Sequence, residues 1–197
     1  MKPTLRPDLA VILDHIAPGS RALDVGCGDG ELMAALRDER NVDARGIEID
    51  GACVERCVAR GLSVVQGDAD RDLTFYPDGA FDYAILSQTL QTAARPDRIM
   101  QELLRVGRRA FVSFPNFAFW KMRWALLSKG QMPVTKHLPV TWYETQNIHH
   151  VTVKDFEVLA RNLNIAISNR WFFASEREIS ASGANWRAEY ALFEVGR

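Results

Sequence analysis

The residues that most restrict what this chain can fold into are Asp24-Val25-Gly26-Cys27-Gly28-Asp29-Gly30. They close a short apolar run, Arg21–Val25, and open a helical pattern with Leu32, Met33 and Leu36 on one face. Three alternating glycines between a buried strand and a helix let the backbone turn sharply and let a ligand approach it closely. The same strand-then-helix order repeats downstream. Arg45–Ile49, Ser63–Gln66, Phe81–Ser87 and Ala110–Phe114 read as further strands. Between them, Val54, Cys57 and Val58 mark a helix stopped by Gly61, and Ile99, Leu103 and Val106 mark another over about Pro96–Val106.

The flanks fit the same plan. Leu9, Ile12, Leu13 and Ile16 form an amphipathic helix that ends at Pro18-Gly19, with His15 facing solvent. Thr152-Val153-Lys154-Asp155 reads as a capping box, and Phe156, Leu159 and Leu163 then face inward. Two closing strands, Ile167–Ala174 and Glu189–Val195, flank a polar stretch of Ser, Gly and Asn. The expectation is an α/β fold: a doubly wound, mostly parallel sheet with helices on both faces. At 197 residues the chain suits one domain, residues 1–197.

The details of the glycine turn narrow its ligand. Glu31 stands where the third glycine of a dinucleotide fingerprint would be, and Asp24 and Asp29 flank the loop. Negative charge suits a pyrophosphate poorly but suits a sulfonium and an ammonium well. No Gly-Lys-Ser/Thr follows, which excludes a phosphate-binding P-loop. Glu48, 20 residues after Gly28, ends the second strand where a carboxylate can accept both hydroxyls of a ribose. Gln66-Gly67-Asp68-Ala69-Asp70 ends the third strand, where a carboxylate can take an adenine amino group and the neighbouring amide a ring nitrogen.

Composition removes other classes. A formal net charge of −1 argues against a general nucleic-acid or membrane-surface binder. The three cysteines, Cys27, Cys53 and Cys57, form no disulfide framework or zinc pattern and read as buried structural thiols in a reducing compartment. The N-terminus lacks the apolar core of a signal peptide, and no run reaches a membrane span, so a cytoplasmic location is expected.

Taken in order, these three strand-end elements and a fourth, the strand Phe81–Ser87, resemble the class I S-adenosylmethionine (SAM)-dependent methyltransferases from about Ala17 to Val195. The resemblance implies a Rossmann-like seven-stranded sheet of order 3-2-1-4-5-7-6, with one late strand antiparallel. It also implies a SAM or S-adenosylhomocysteine (SAH) site at Asp24, Gly26, Cys27, Gly28 and Gly30, with Glu48 for the ribose, Asp68 for the adenine, and Ile49 and Ala69 beside them. Ser87 and Gln88 match the end of strand four, where the methionine portion and a substrate meet.

The segment from Phe114 to His150 is long for a strand-to-helix connection. It holds Phe117, Phe119, Trp120, Trp124, Trp142 and Tyr143, and no acidic residue lies between Glu102 and Glu144. Two readings stand: an amphipathic helix whose aromatics reach the core, or a lid or docking insertion at about 115–150. Pro115-Asn116 reads as a strand terminator and turn rather than a catalytic box. Trp120, Trp124, Tyr143, His149 and His150 are the candidates for contact with a substrate or partner. His149 and His150, adjacent on an extended segment, should point opposite ways, so that at most one faces a pocket.

The blocks LDVGCGDGELMAAL, GIEID, QGDAD, SFPNFAFWKMRWALLSKGQMPVT and LPVTWYETQNIHHVTVKDF are more specific. They resemble the methionine biosynthesis protein MetW family. That resemblance implies a partner or activator of a homoserine O-acyltransferase of the α/β-hydrolase type. The alternative is a SAM-dependent methyltransferase acting on a small molecule. The chain lacks a Gly-x-Ser-x-Gly elbow and so is not itself that acyltransferase. With no added substrate domain, nucleic acid is not expected as a substrate.

Overall fold

The computed structural model describes residues 5–135, 141, 142, 144–146 and 148–197. In chain order the elements are α1 (Pro7–His15), β1 (Arg21–Val25), α2 (Glu31–Arg40), β2 (Asp43–Glu48), α3 (Gly51–Ala59), β3 (Ser63–Gln66), α4 (Ala69–Asp72), β4 (Phe81–Ser87), α5 (Pro96–Val106), β5 (Gly107–Pro115), α6 (Trp120–Lys129), α7 (Val153–Asn162), β6 (Ala166–Ala174), β7 (Arg177–Ile179), α8 (Ala184–Arg187) and β8 (Tyr190–Gly196). Their starts carry the expected signals. Pro7 occupies the first turn of α1, the Asp50 side chain accepts from Ala52 N to cap α3, and Thr152 Oγ1 accepts from Asp155 N to cap α7.

The sheet runs β3-β2-β1-β4-β5-β8-β6-β7. β1 to β5 are mutually parallel, and β8 is antiparallel to both β5 and β6. The expected order 3-2-1-4-5-7-6 is therefore present, with Tyr190–Gly196 as its seventh strand. Two points differ. An eighth strand, β7, pairs antiparallel with β6 at the sheet edge, so two strands rather than one run against the rest. Three residues are too few to show a period-two pattern, and Arg177-Glu178-Ile179 lies within the stretch read as polar connection. The one-turn helices α4 and α8 escaped notice for the same reason.

Side-chain alternation along the central strands splits the core into two layers. Ala84, Leu86, Val112 and Phe114 pack with Ile99, Leu103 and Phe156 of α5 and α7. Ile85 and Phe111 pack on the other face with Ile12 of α1 and Leu32 and Leu36 of α2. Both layers leave the carboxyl ends of β1, β2, β4 and β5 aligned on one edge, next to the loops that carry the acidic and glycine residues.

Asn116, just beyond β5, is buried and ties three segments together. Its Nδ2 donates to Ala188 O (2.8 Å) and Asn185 O (3.2 Å), and its Oδ1 accepts from Ala118 N (3.1 Å) and Val153 N (3.4 Å). The structural reading of Pro115-Asn116 holds. No helix among the described residues is long and apolar enough to cross a membrane.

Candidate functional site

A cleft of about 400 Å³ opens where β1 meets α2, walled in part by Asp24, Gly26, Cys27, Gly28 and Ser87. Gly26, Gly28 and Gly30 all take left-handed backbone angles, with φ of 73°, 53° and 70°. The loop therefore needs glycine for its path, and two of the three positions need it for space as well. A Cβ on Gly26 would lie 2.6 Å from Thr89 Oγ1, and one on Gly30 would lie 2.5 Å from Leu62 Cδ1 and 2.9 Å from Cys57 Sγ. A Cβ on Gly28 would meet nothing within 4 Å. Gly30→Ala is accordingly expected to lose about 2–4 kcal/mol of stability from overpacking plus backbone strain, against about 1–2 kcal/mol for Gly28→Ala. Equal denaturation midpoints for the two variants would contradict this.

Glu48 is bound to the turn. Its Oε2 accepts from Gly28 N (2.8 Å) and its Oε1 from Asp50 N (2.9 Å), which leaves lone pairs on both oxygens. Ile49, the next residue, is 67% exposed and offers an apolar face. At the end of β3, Asp68 caps α4 by accepting from Asp70 N (3.0 Å) and pairs with the exposed Arg71 at 3.2 Å. That surface pair is weak enough for a ligand to displace. Ala69 N is the first helical amide of α4 and has no intrahelical acceptor by geometry. Glu48, Ile49, Asp68, Ala69 and Gln88 flank the cleft rather than wall it.

Asp24 is buried, 4% exposed, and its carboxyl is pushed up to about 7. Burial is the main cause; the Arg6 guanidinium opposes it and the Glu48 carboxylate adds to it. Gln88, immediately after β4, holds φ at +55°, a left-handed angle uncommon for a residue with a Cβ. Strain of that kind at the end of a central strand is a common mark of a ligand site.

Several residues at the cleft lay outside the motifs. Arg6, the residue just before α1 and outside the glycine turn in sequence, lines it. So do Cys53 and Arg56 of α3; Cys53 is partly exposed rather than the buried thiol expected, because Arg56 reaches its Sγ at 3.0 Å on the outer side of the helix. All three thiols are held above their ordinary value, chiefly by burial, so none is a ready thiolate nucleophile. Among the described residues, no group of three His, Cys, Asp or Glu could hold a metal ion.

The family profile of "Methionine biosynthesis protein MetW" matches residues 6–195. The chain belongs to the MetW family. A curated relative is the bifunctional methionine biosynthesis protein MetXA/MetW of Rhodopirellula baltica, 34% identical over 179 residues. The match covers 86% of this chain but 29% of that protein, so the MetW-family chain spans under a third of its relative's length. A SAM-dependent methyltransferase from Archaeoglobus fulgidus superposes with a TM-score of 0.73 at 14% identity, covering 98% of this chain and 92% of that one. The [4+2]-cyclase SpnF superposes with a TM-score of 0.68 at 18% identity, covering 97% of this chain and 81% of that one. The MetW-family chain thus has the methyltransferase fold, and a fold shared with a cyclase does not by itself name a reaction.

The remaining candidates lie along the insertion. On α6 only Met122 is buried, while Trp120, Trp124 and Leu127, at i, i+4 and i+7, form an apolar stripe that faces solvent. The reading in which these aromatics reach the core is overturned for both tryptophans. Phe119, one residue before the helix, supplies the inward contact instead. Tyr143 lies outside the described residues. His149 and His150 both line one smaller cavity of about 290 Å³, with Leu90, Pro96, Asp155 and Phe156. The expected opposition of the two rings fails because residues 148–152 form no regular strand; Ile148 N and His149 N both donate to Gln91 O, at 2.9 and 3.0 Å.

Proposed function

We propose that the chain binds SAM or SAH in the cleft beside Gly26–Gly30 and acts as the activating partner of a homoserine O-acyltransferase in methionine biosynthesis. The observation that carries the cofactor reading is the left-handed glycine turn, open above Gly28, with Asp24 below it and Glu48 bound to its amide. In this reading Asp24 faces the ammonium and sulfonium, Glu48 the ribose, Ile49 the adenine face, and Asp68 with Ala69 N the adenine edge. Ser87 and Gln88 bound the methionine end. When bound, SAM supplies a transferable methyl group or, for a partner protein, a signal of end product.

The partner reading rests on the fused relative and on α6. A solvent-facing stripe of Trp120, Trp124 and Leu127, flanked by Lys121, Arg123 and Lys129, suits an apolar groove with an acidic rim. Residues 115–150 thus serve as a docking insertion on a single domain. A second reading, methyl transfer to a small molecule, is favoured by the cavity at His149, where a buried Nε2 has no hydrogen-bond partner among the described residues.

One experiment separates these. Acyl transfer by the homoserine O-acyltransferase of the same organism is measured with and without the chain, and SAH binding is followed by calorimetry. The wild type should raise the acyl-transfer rate. Trp124→Ala/Leu127→Ser should lose that effect and keep SAH affinity, while Gly28→Asn, whose side chain enters the cleft, should lose SAH affinity by fiftyfold or more, on the order of 2.3 kcal/mol. No stimulation and no association by the wild type would sink the partner reading. Absence of SAM and SAH binding, alone and with the acyltransferase, would sink the cofactor reading.

A further inference from the structure

Arg6 and Asp8 stand at the start of α1, about eighty residues from the end of β4, yet they meet there. Arg6 Nη2 donates to Ser87 Oγ at 2.6 Å, and Arg6 Nε and Nη2 grip the two oxygens of Asp8 at 3.1 Å each. Asp8 has no exposed surface, and Ser113 Oγ of β5 donates to its Oδ2 at 2.9 Å. The Asp8 carboxylate is therefore fixed from two strands and holds the guanidinium in one orientation. The Arg6 side chain itself is 46% exposed and lines the cleft that Asp24 and Gly26 also line. One buried carboxylate and one anchored guanidinium thus share the end of the cleft nearest β4. That is the charge pattern of an α-amino acid zwitterion turned inside out.

We propose that Arg6, oriented by Asp8, binds the carboxylate of the cofactor's amino-acid tail, so that the cleft selects S-adenosyl amino acids over decarboxylated and truncated adenosyl thioethers. The inference rests on the cofactor reading above and adds to it a specificity residue. A bidentate guanidinium–carboxylate contact at a half-buried site contributes about a 10- to 100-fold preference. Lysine in its place keeps the charge but not the fork, and Asp8 no longer orients it.

Calorimetry on the full chain tests this with three named probes: SAH, neutral 5′-methylthioadenosine, and S-adenosyl-3-thiopropylamine, which keeps the amine and lacks the carboxylate. The wild type should bind SAH at least tenfold more tightly than the other two. Arg6→Gln should weaken SAH by about 10- to 100-fold and leave 5′-methylthioadenosine within about twofold. It should tighten the amine-only ligand, because a repelling cation has gone. Arg6→Lys should restore part of the SAH affinity. Since Arg6→Gln strands the buried Asp8, Asp8→Asn/Arg6→Gln supplies a variant with no unpaired buried charge and the same expected selectivity. Equal losses for SAH and 5′-methylthioadenosine, or no loss for SAH, in a variant whose circular dichroism matches wild type would overturn the assignment. A wild type that binds none of the three would instead refute the cofactor reading on which it rests.

Discussion

Asp24→Asn is expected to stabilise the ligand-free protein by about 1–3 kcal/mol at pH 8 while weakening SAH at least tenfold. The carboxyl of Asp24 sits at about 7 against an ordinary 3.8, with burial as the leading cause. A gap of that size corresponds to on the order of 4 kcal/mol of penalty on the ionised form, an upper bound because neighbouring groups relax around a buried charge. The sign follows from which state holds the proton more tightly. The folded state does, so the wild type has its full Asp24 contribution below pH 3.8, loses it as pH rises toward 7, and stays level above. Asparagine fits the same space without charge. The stability difference between variant and wild type should therefore be near zero at pH 4, grow through pH 7 and then level off. Urea denaturation across that range measures it; a difference that shrinks as pH rises would refute the account. Binding should show the mirror image. On the proposed cofactor reading, in which Asp24 faces the ligand's ammonium, wild-type affinity for SAH should climb between about pH 6 and pH 8 as Asp24 loses its proton, and the asparagine variant should be flat over that window. A group that weakens the empty fold and strengthens the loaded one is what a ligand site demands.

The second large effect is expected at Asn116→Leu. The side chains are close in volume, so the cavity term is small, but four backbone groups, three of them buried, lose their partner. These are the Ala118 and Val153 amides, which bracket the insertion, and the Asn185 and Ala188 carbonyls of α8. At about 1 kcal/mol each, some of it recovered by water or by shifts of the insertion, the loss should be about 2–4 kcal/mol. Thermal or urea unfolding should show it, and a loss below about 1 kcal/mol would mean that Asn116 is not the tie the geometry indicates. Because Asn116 sets where α6 leaves β5 and where α7 begins, the acyltransferase stimulation proposed above should fall with it.

Some of this was legible in the residues alone, and particular elements show why. Helix α3 could be read from Val54, Cys57 and Gly61, and α7 from Thr152 and Asp155, because period and capping are local. The place of Glu48 at the strand end beside the glycine turn followed from spacing, since a strand–turn–helix–strand unit brings residues about twenty apart to neighbouring strand ends; that it binds Gly28 N did not. Strand β7 was not legible: three residues carry no period, and its partner β6 decides it. The direction of the α6 stripe was not legible either. Trp120, Trp124 and Leu127 have the spacing of a buried face, and only the position of Met122 against the body of the protein shows that this face is turned outward.

From its sequence, then, the chain determined its alternation of strands and helices, its left-handed glycine turn and the acidic residues at the strand ends, because each depends on sterics and periodicity over a few residues. Tertiary structure alone decided that Arg6 and Asp8 reach Ser87 and Ser113, that Asn116 joins α7 to α8, and that two adjacent histidines share one cavity. Those contacts join residues dozens of positions apart, and only packing selects which distant partners meet.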